Sequence, residues 1–361
     1  MPLLYNHEYP NKLRTGFIGC GGHAFRNVYP TFQYAPVDLV AVCDLDLARA
    51  ASCGKLFGAS RYYSNHREML EREKLDLVFI VTNLDETGRP RYPKLAADCL
   101  RAGTHVWIEK PPASSAAEIQ ELIRISSETN RHVAVGFKKM FFPANVKAEE
   151  ISSRPEFGRI TSISARYPQS LPPIEHRSDP RKMASFLDHI LHPHSVLRLV
   201  GGPIAWIFVN RNNVVGSAVV SVQFRSGTIG TLHLCAGQSE TSFLEQLEIV
   251  GEGENLVVEN NIRLTHYRRA KARIQYGRTE DYFVSSDEQS APLFWEPEFS
   301  LGQLYNKGLF LLGYAPEVIS FTTRLLENKG PERGTLEDAL ELLRIYEAYL
   351  LADQTVHTIA Q

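Results

Sequence analysis

The chain has 361 residues, with 39 lysines and arginines against 41 aspartates and glutamates and a formal net charge of −2. This balance lacks the basic excess needed for a strong non-specific grip on nucleic acid or an anionic membrane, so neither partner is expected. With 43% hydrophobic and 22% charged residues, the composition is globular and excludes disordered, collagen-like and disulfide-scaffold classes.

At roughly 100–200 residues per domain, the length suggests two domains. The five cysteines, Cys20, Cys43, Cys53, Cys99 and Cys235, are scattered and form no CxxC pair. Reduced thiols in a cytoplasmic protein are the simplest reading. No apolar run approaches the ~18 residues of a spanning helix, and the first residues show no signal pattern.

From 13 to about 137, short apolar runs alternate with helical stretches, the pattern of βαβ units on a doubly wound, mostly parallel sheet. The runs lie at 14–18, 39–43, 75–81, 105–109 and 132–137, and helices are predicted at 46–57, 65–73, 92–102 and 116–129. Ser115 and Glu118 have capping-box spacing, which supports a helix start there.

After about 138 the pattern changes to a helix at 143–152, a strand at 159–167, a Pro-rich charged loop at 168–182 and a helix at 184–200. Strands follow at 204–210, 218–224, 228–235, 245–250 and 263–267. Consecutive strands joined by turns such as Arg225-Ser226-Gly227 and Gly251-Glu252-Gly253 predict an open, largely antiparallel sheet. The segment 271–313 reads as irregular, and helices at 315–328 and 336–353 close the chain. The expected division is therefore an α/β Rossmann domain over 1–137 and an α+β domain, for substrate binding and oligomerisation, over 138–361.

The first run ends in Gly19-x-Gly21-x-x-Ala24, a dinucleotide fingerprint between a strand and a helix. Gly19 allows the tight turn, Gly21 lets the backbone approach a pyrophosphate, and Ala24 keeps the helix close to the strand. The second run ends in Asp44, 25 residues after Gly19, where a carboxylate accepts hydrogen bonds from ribose hydroxyls and repels a 2′-phosphate. NAD is therefore expected in preference to NADP.

Glu109-Lys110-Pro111 stands at the carboxyl end of the run 105–109, the edge where such sheets bind ligands. A lysine fixed there can stabilise an oxygen that becomes alkoxide-like. In Asp188-His189-Ile190-Leu191-His192, Asp188 and His192 are four apart and share a helix face. A histidine beside a carboxylate can take a hydroxyl proton near neutral pH. His189, His192 and His194 together also permit a metal reading, but no second cluster has ligand spacing, so no metal is expected.

Together these elements resemble the Gfo/Idh/MocA family, the glucose-fructose oxidoreductase and inositol dehydrogenase group. The resemblance is carried by the glycine turn, Val40-Ala41-Val42-Cys43-Asp44, Ala102-Gly103-Thr104-His105-Val106-Trp107-Ile108-Glu109-Lys110-Pro111, Gly136-Phe137-Lys138-Lys139 before Pro143, the Asp188 and His192 pair, and the closing helix with Glu317 and Phe321. It implies that Lys110, Asp188 and His192 form the catalytic set, often with a cis bond before Pro111. The residues expected at the cofactor are Gly19, Gly21, Gly22, His23, Ala24, Asp44, Thr82, Glu109 and Lys110, and Lys139, Arg177 and His189 are candidate substrate contacts.

Two departures stand out. The loop Thr82-Asn83-Leu84-Asp85-Glu86-Thr87-Gly88-Arg89-Pro90-Arg91-Tyr92 is longer than the family's T-P-x-x-H stretch, with Tyr92 where the histidine is common. The glycine often found between the family's aspartate and histidine is replaced by Ile190 or Leu191, which leaves His189 as a competitor for proton transfer.

Outside these motifs, His66 and His105 read as packing or capping groups, and Trp107 and Trp206 as core aromatics. Trp295 either covers the site or packs on a second subunit, and Arg181 and Lys182 read as loop charges.

The expected activity is NAD-dependent oxidation of a secondary hydroxyl of a sugar, polyol or glycoside, or reduction of the matching keto sugar. The proposed cleft offers hydrogen-bonding groups and no apolar slot, which suits a carbohydrate. The alternatives are an NAD-retaining enzyme that cleaves a glycoside through transient oxidation, and a non-catalytic NAD-bound sensor. Apolar residues on both alternations of the later strands, as in Val219-Val220 and Leu232 with Leu234, predict a homodimer or homotetramer.

Overall fold

The computed structural model describes residues 5–269, 291–297 and 306–360. Strands β1 (Leu13–Ile18), β2 (Val37–Cys43), β3 (Arg61–Tyr63), β4 (Leu77–Ile80), β5 (His105–Glu109) and β6 (Val133–Gly136) form one sheet in the order β3-β2-β1-β4-β5-β6. Every pairing in it is parallel. Residues 77–80 are buried without exception, as expected of a strand covered on both faces. Strand order reverses between β1 and β4, which opens a crevice at their carboxyl ends.

Helices α1 (Leu47–Phe57), α2 (His66–Arg72), α3 (Tyr92–Arg101) and α4 (Ala116–Thr129) fall on the predicted segments. Their starts are chemically marked. The Asp46 side chain accepts from the Ala48 and Arg49 N–H groups, Asn65 accepts from the Arg67 N–H, and Ser115 accepts from the Glu118 N–H. Each satisfies a donor that has no partner inside its helix. The reciprocal half of the box at α4 is shifted, because Glu118 Oε2 takes the Ser114 N–H at 2.8 Å.

The second sheet is mixed and mostly antiparallel. It comprises β7 (Ser162–Tyr167), β8 (Ile204–Arg211), β9 (Ala218–Phe224), β10 (Ile229–Leu234), β11 (Gln246–Val250), β12 (Asn255–Glu259), β13 (Arg263–Tyr267), β14 (Leu293–Trp295) and β15 (Val356–Thr358). Their order is β14-β13-β12-β11-β7-β10-β9-β8-β15, and only the β7 and β10 pair is parallel. Helices α5 (Pro143–Ser152) and α6 (Pro180–Gly201), with a helix at Leu336–Tyr349, lie against one face. On the other face Val219 is 46% exposed and Ile229 60% exposed.

Two sequence expectations change here. The loop at 168–182 is shorter than expected because α6 begins at Pro180, with Asp179 accepting the Arg181 N–H; proline at the first helical position and an aspartate cap are a start signal. The division at 137 separates the sheets but not the cores. The helix Tyr314–Leu326 returns to the first sheet and buries Val318, Phe321 and Leu325 against Phe17, Tyr29, Phe32, Phe79 and Trp107. Trp107 is fully buried, whereas Trp206, on the penultimate strand β8, is only half-buried. Trp295 pairs with Leu264 and packs on the larger core. Most of 271–313 lies outside the described residues.

No helix among the described residues is long and apolar enough to cross a membrane. All five cysteines are free and buried.

Candidate active site

The crevice is lined by Gly21, Gly22, His23, Ala24, Val81, Thr82, Asn83, Tyr92, Glu109, Lys110 and Asp188. Gly19 turns at φ +105°, and a Cβ there would stand 1.9 Å from the Val81 carbonyl oxygen, so only glycine lets β1 and β4 approach at this bend. A Cβ at Gly21 or Gly22 would meet nothing within 4 Å. The backbone therefore presents an open surface where a helix begins, which suits a pyrophosphate.

Asp44 braces this turn. Its Oδ2 accepts the Cys20 N–H at 2.8 Å and its Oδ1 accepts the Asp46 N–H at 2.9 Å. Arg49 NH1 lies 3.6 Å from Oδ1. Just beyond β4, Thr82 Oγ1 is buried without a hydrogen-bond partner among the described residues. An orphaned hydroxyl at the edge of a crevice is a group awaiting a ligand atom. Open glycines, a carboxylate after β2 and this hydroxyl together fit a nicotinamide dinucleotide.

Glu109 is buried. Its Oε1 accepts from His23 Nε2 at 2.9 Å and its Oε2 accepts the Lys110 N–H at 2.7 Å. The Lys110-Pro111 peptide is cis. Lys110 Nζ donates to Asp188 Oδ1 at 2.7 Å, joining the carboxyl end of β5 to α6 across the crevice. His192 follows Asp188 by one helical turn and is buried. Burial first, then the positive charges of Lys139, Lys110 and Lys138, hold its imidazole well below the usual histidine range. It is therefore a neutral base in neutral solution.

The other histidines separate. His189 is exposed, and its Nδ1 donates to the Ser185 carbonyl at 2.8 Å. Buried His194 Nε2 pairs with Tyr349 OH at 2.8 Å, and burial pushes its pKa down to about 3. His66 bridges to Asp98, and His105 Nδ1 accepts the His132 N–H, in line with packing and capping roles.

Lys139 is buried and paired with Glu245, below the Tyr167 ring at 4.7 Å. Arg177 is placed otherwise than expected. Its guanidinium binds Asp353 through two nitrogens and the carbonyls of Pro172, Tyr349 and Leu351, so it pins the chain end and has no donor turned to the crevice.

Sequence reasoning passed over several neighbours. Tyr92 OH donates to the Thr82 carbonyl at 3.0 Å and accepts the Thr82 N–H, so it clamps the long loop where a histidine is common in the family. Gly88 in that loop sits at φ +84°, and a Cβ would come 2.9 Å from Arg181 Cα, so the loop reaches the start of α6. Lys138 Nζ donates to Tyr314 OH at 2.8 Å, and Glu317 lies fully buried one turn further along the returning helix. The closing helix was visible in sequence, but its contact with the first sheet was not.

Residues 13–137 match the family model for oxidoreductases with an NAD-binding Rossmann fold. The match places this domain, residues 13–137, with the Gfo/Idh/MocA family. NAD is the family cofactor, and the crevice fits it.

Among relatives of this chain, myo-inositol 2-dehydrogenase of Thermotoga maritima is 21% identical over 69% of this chain and 75% of its own. The dTDP-3,4-didehydro-2,6-dideoxy-α-D-glucose 3-reductase of Streptomyces violaceoruber is 26% identical over 48% of this chain, and the match spans only half of that protein. A levoglucosan dehydrogenase solved with NADH and levoglucosan superposes with a TM-score of 0.77 over 97% of this chain and all of its own, at 17% identity. This last likeness shows that the two share a fold.

Proposed function

We propose that the protein is an NAD-dependent dehydrogenase that oxidises a secondary hydroxyl of a sugar, polyol or glycoside, or reduces the matching ketone. The observation that carries this reading is the Lys110 Nζ to Asp188 Oδ1 bond at 2.7 Å beside the glycine turn, with neutral His192 one turn away. The relatives' names, a myo-inositol dehydrogenase and a sugar-nucleotide reductase, support the carbohydrate class.

Bound NAD supplies the hydride acceptor. Lys110 gives its ammonium to the substrate oxygen and stabilises the negative charge that grows there. Asp188 holds that ammonium in place and keeps its free lone pairs for a neighbouring hydroxyl. His192 Nδ1 or Nε2 accepts the hydroxyl proton. Burial of His192, the first cause of its depressed basicity, also keeps bulk water from competing for the proton.

NADH absorbance with a panel of polyols, aldoses and glycosides tests the reading. Reduction of NAD by at least one of them is the expected result, and release of a free sugar from a glycoside without net NADH would replace it with the closed-cycle alternative.

A further inference from the structure

His23 sits in the first turn after the open glycines, with its side chain 43% exposed and its two ring nitrogens held differently. Nε2 donates to Glu109 Oε1 at 2.9 Å, while Nδ1 accepts from Asn27 Nδ2 at 3.2 Å. The ring is thus a neutral tautomer in this arrangement, with a carboxylate behind it and the dinucleotide crevice in front. Protonation would make Nδ1 a donor, and a turn of the Asn27 carboxamide would present its oxygen or release Nδ1 to the crevice.

Glu109 faces the His23 ring from β5, and Tyr314 presents its ring from the returning helix with centroids 5.8 Å apart. Behind these, Lys138 donates to Tyr314, and Glu317 interacts with both Glu109 and Lys138. Lys110 holds Asp188 and points away toward α6. Glu317 is fully buried, and burial and Glu109 hold its carboxyl well above the usual carboxylate range; the carboxylate bonded to His23 is Glu109.

We propose that His23 couples dinucleotide binding to proton uptake. When the diphosphate settles over Gly21 and Gly22, the ring lies between two anionic groups, Glu109 and the ligand, and takes one proton from solvent to become imidazolium. Opposite charges on both sides favour the charged form of a histidine. The proposal rests on NAD occupying this crevice and is independent of the substrate.

Calorimetric titration of the full chain with NAD, without substrate, in two buffers of different ionisation enthalpy tests it. Between pH 7 and 8.5 the wild type is expected to take up a fraction of a proton, rising toward one, per NAD bound. NAD affinity is then expected to fall with rising pH by up to ~10-fold per unit, the limit for one linked proton. His23→Gln should lose both the uptake and the slope, and His192→Gln should keep them. Binding enthalpies independent of buffer in the wild type would overturn the proposal without appeal to any variant. Uptake that survives in His23→Gln, or vanishes in His192→Gln, would transfer the proton elsewhere and overturn it equally. Failure of every sugar to reduce NAD would leave these titrations unchanged, so the two readings fail separately.

Discussion

Lys110 Nζ stands 2.7 Å from Asp188 Oδ1, although the two residues are 78 positions apart and belong to different sheets' architectures. One closes β5 of the Rossmann sheet and the other rides on α6, which covers the second sheet. Their ion pair fixes the distance between the cofactor edge and the helix that carries His192. Lys110→Ala is expected to bind NAD normally and to lose ~10²–10⁴-fold in kcat, the usual cost of removing a positioned transition-state group. Asp188→Asn should lose less, because the amide oxygen still accepts from Nζ. Steady-state kinetics beside NAD titration separate the two effects, and a parallel loss of NAD affinity in Lys110→Ala would count against the assignment.

The environment of His192 alters the pH dependence expected from its residue type. A histidine of ordinary basicity would make oxidation rise through the neutral range. Here burial and three lysines push that ionisation well below 6.5. The proton-accepting form is already complete at neutral pH, so the acid limb belonging to His192 should fall below pH 6.5. A kcat profile over pH 5 to 9 checks this, and a limb centred at 7 that disappears in His192→Gln would contradict it.

Asp44 has a double duty, since both its oxygens already accept backbone N–H groups of the glycine turn and of the start of α1. Asp44→Ala is therefore expected to narrow the preference for NAD over NADP and to lower the melting temperature, as the Cys20 and Asp46 N–H groups lose their acceptor. Titration with each cofactor and a thermal melt measure both. Tighter NADP than NAD binding by the wild type would refute the preference.

Glu317 carries the opposite linkage to His194. Burial and the neighbouring Glu109 raise its carboxyl well above 4.5, so the stability it contributes is complete below 4.5 and is lost as pH rises. Neither of its oxygens has a side-chain partner to lose, and the Phe137 N–H that faces it is given to the Val135 carbonyl at 2.7 Å. Glu317→Gln should raise the melting temperature at pH 8 and change it little at pH 5, by about 2–4 °C for each kcal/mol recovered. His194, held near 3, is expected to destabilise the fold as pH falls from 6.5. Melts across pH of the wild type, Glu317→Gln and His194→Gln test the pair of signs.

The outer face of the second sheet, with Val219 and Ile229 exposed, is expected to bury itself in a homodimer or homotetramer. Sedimentation velocity at micromolar concentration checks this, and a monomer there would contradict it.

Both sheets and most helices were legible because their burial follows sequence period. Continuous apolar runs marked β1, β2, β4, β5 and β6, and alternation marked β9. The strands passed over are short or polar. β3 buries only Tyr63 of its three residues, and β14 and β15 have three residues each with no buried position. Asn255–Glu259 was not predicted, although it follows the turn at 251–253 and its alternation buries Leu256 and Val258. At the candidate site, spacing along one helix or after one strand was enough to propose Lys110, Asp188 and His192, of which Lys110 and Asp188 meet at 2.7 Å. The contacts of Tyr314 and Glu317 with Lys138 and Glu109 depend on a helix returning from the far end of the chain, and local pattern carries no trace of such packing. Arg177 failed as a candidate for the same reason, since its partner Asp353 is 176 residues away.

The most direct test compares NADH formation by the wild type, His192→Ala and His189→Ala with the best carbohydrate of the panel. His192 is buried among lysines one helical turn beyond Asp188, while His189 is exposed and tied to its own helix. The expected result is turnover in the wild type, near-normal turnover in His189→Ala and a loss of ~10²–10⁴-fold in His192→Ala with NAD affinity intact. Activity retained in His192→Ala and abolished in His189→Ala, or no NAD reduction by any carbohydrate, would contradict it.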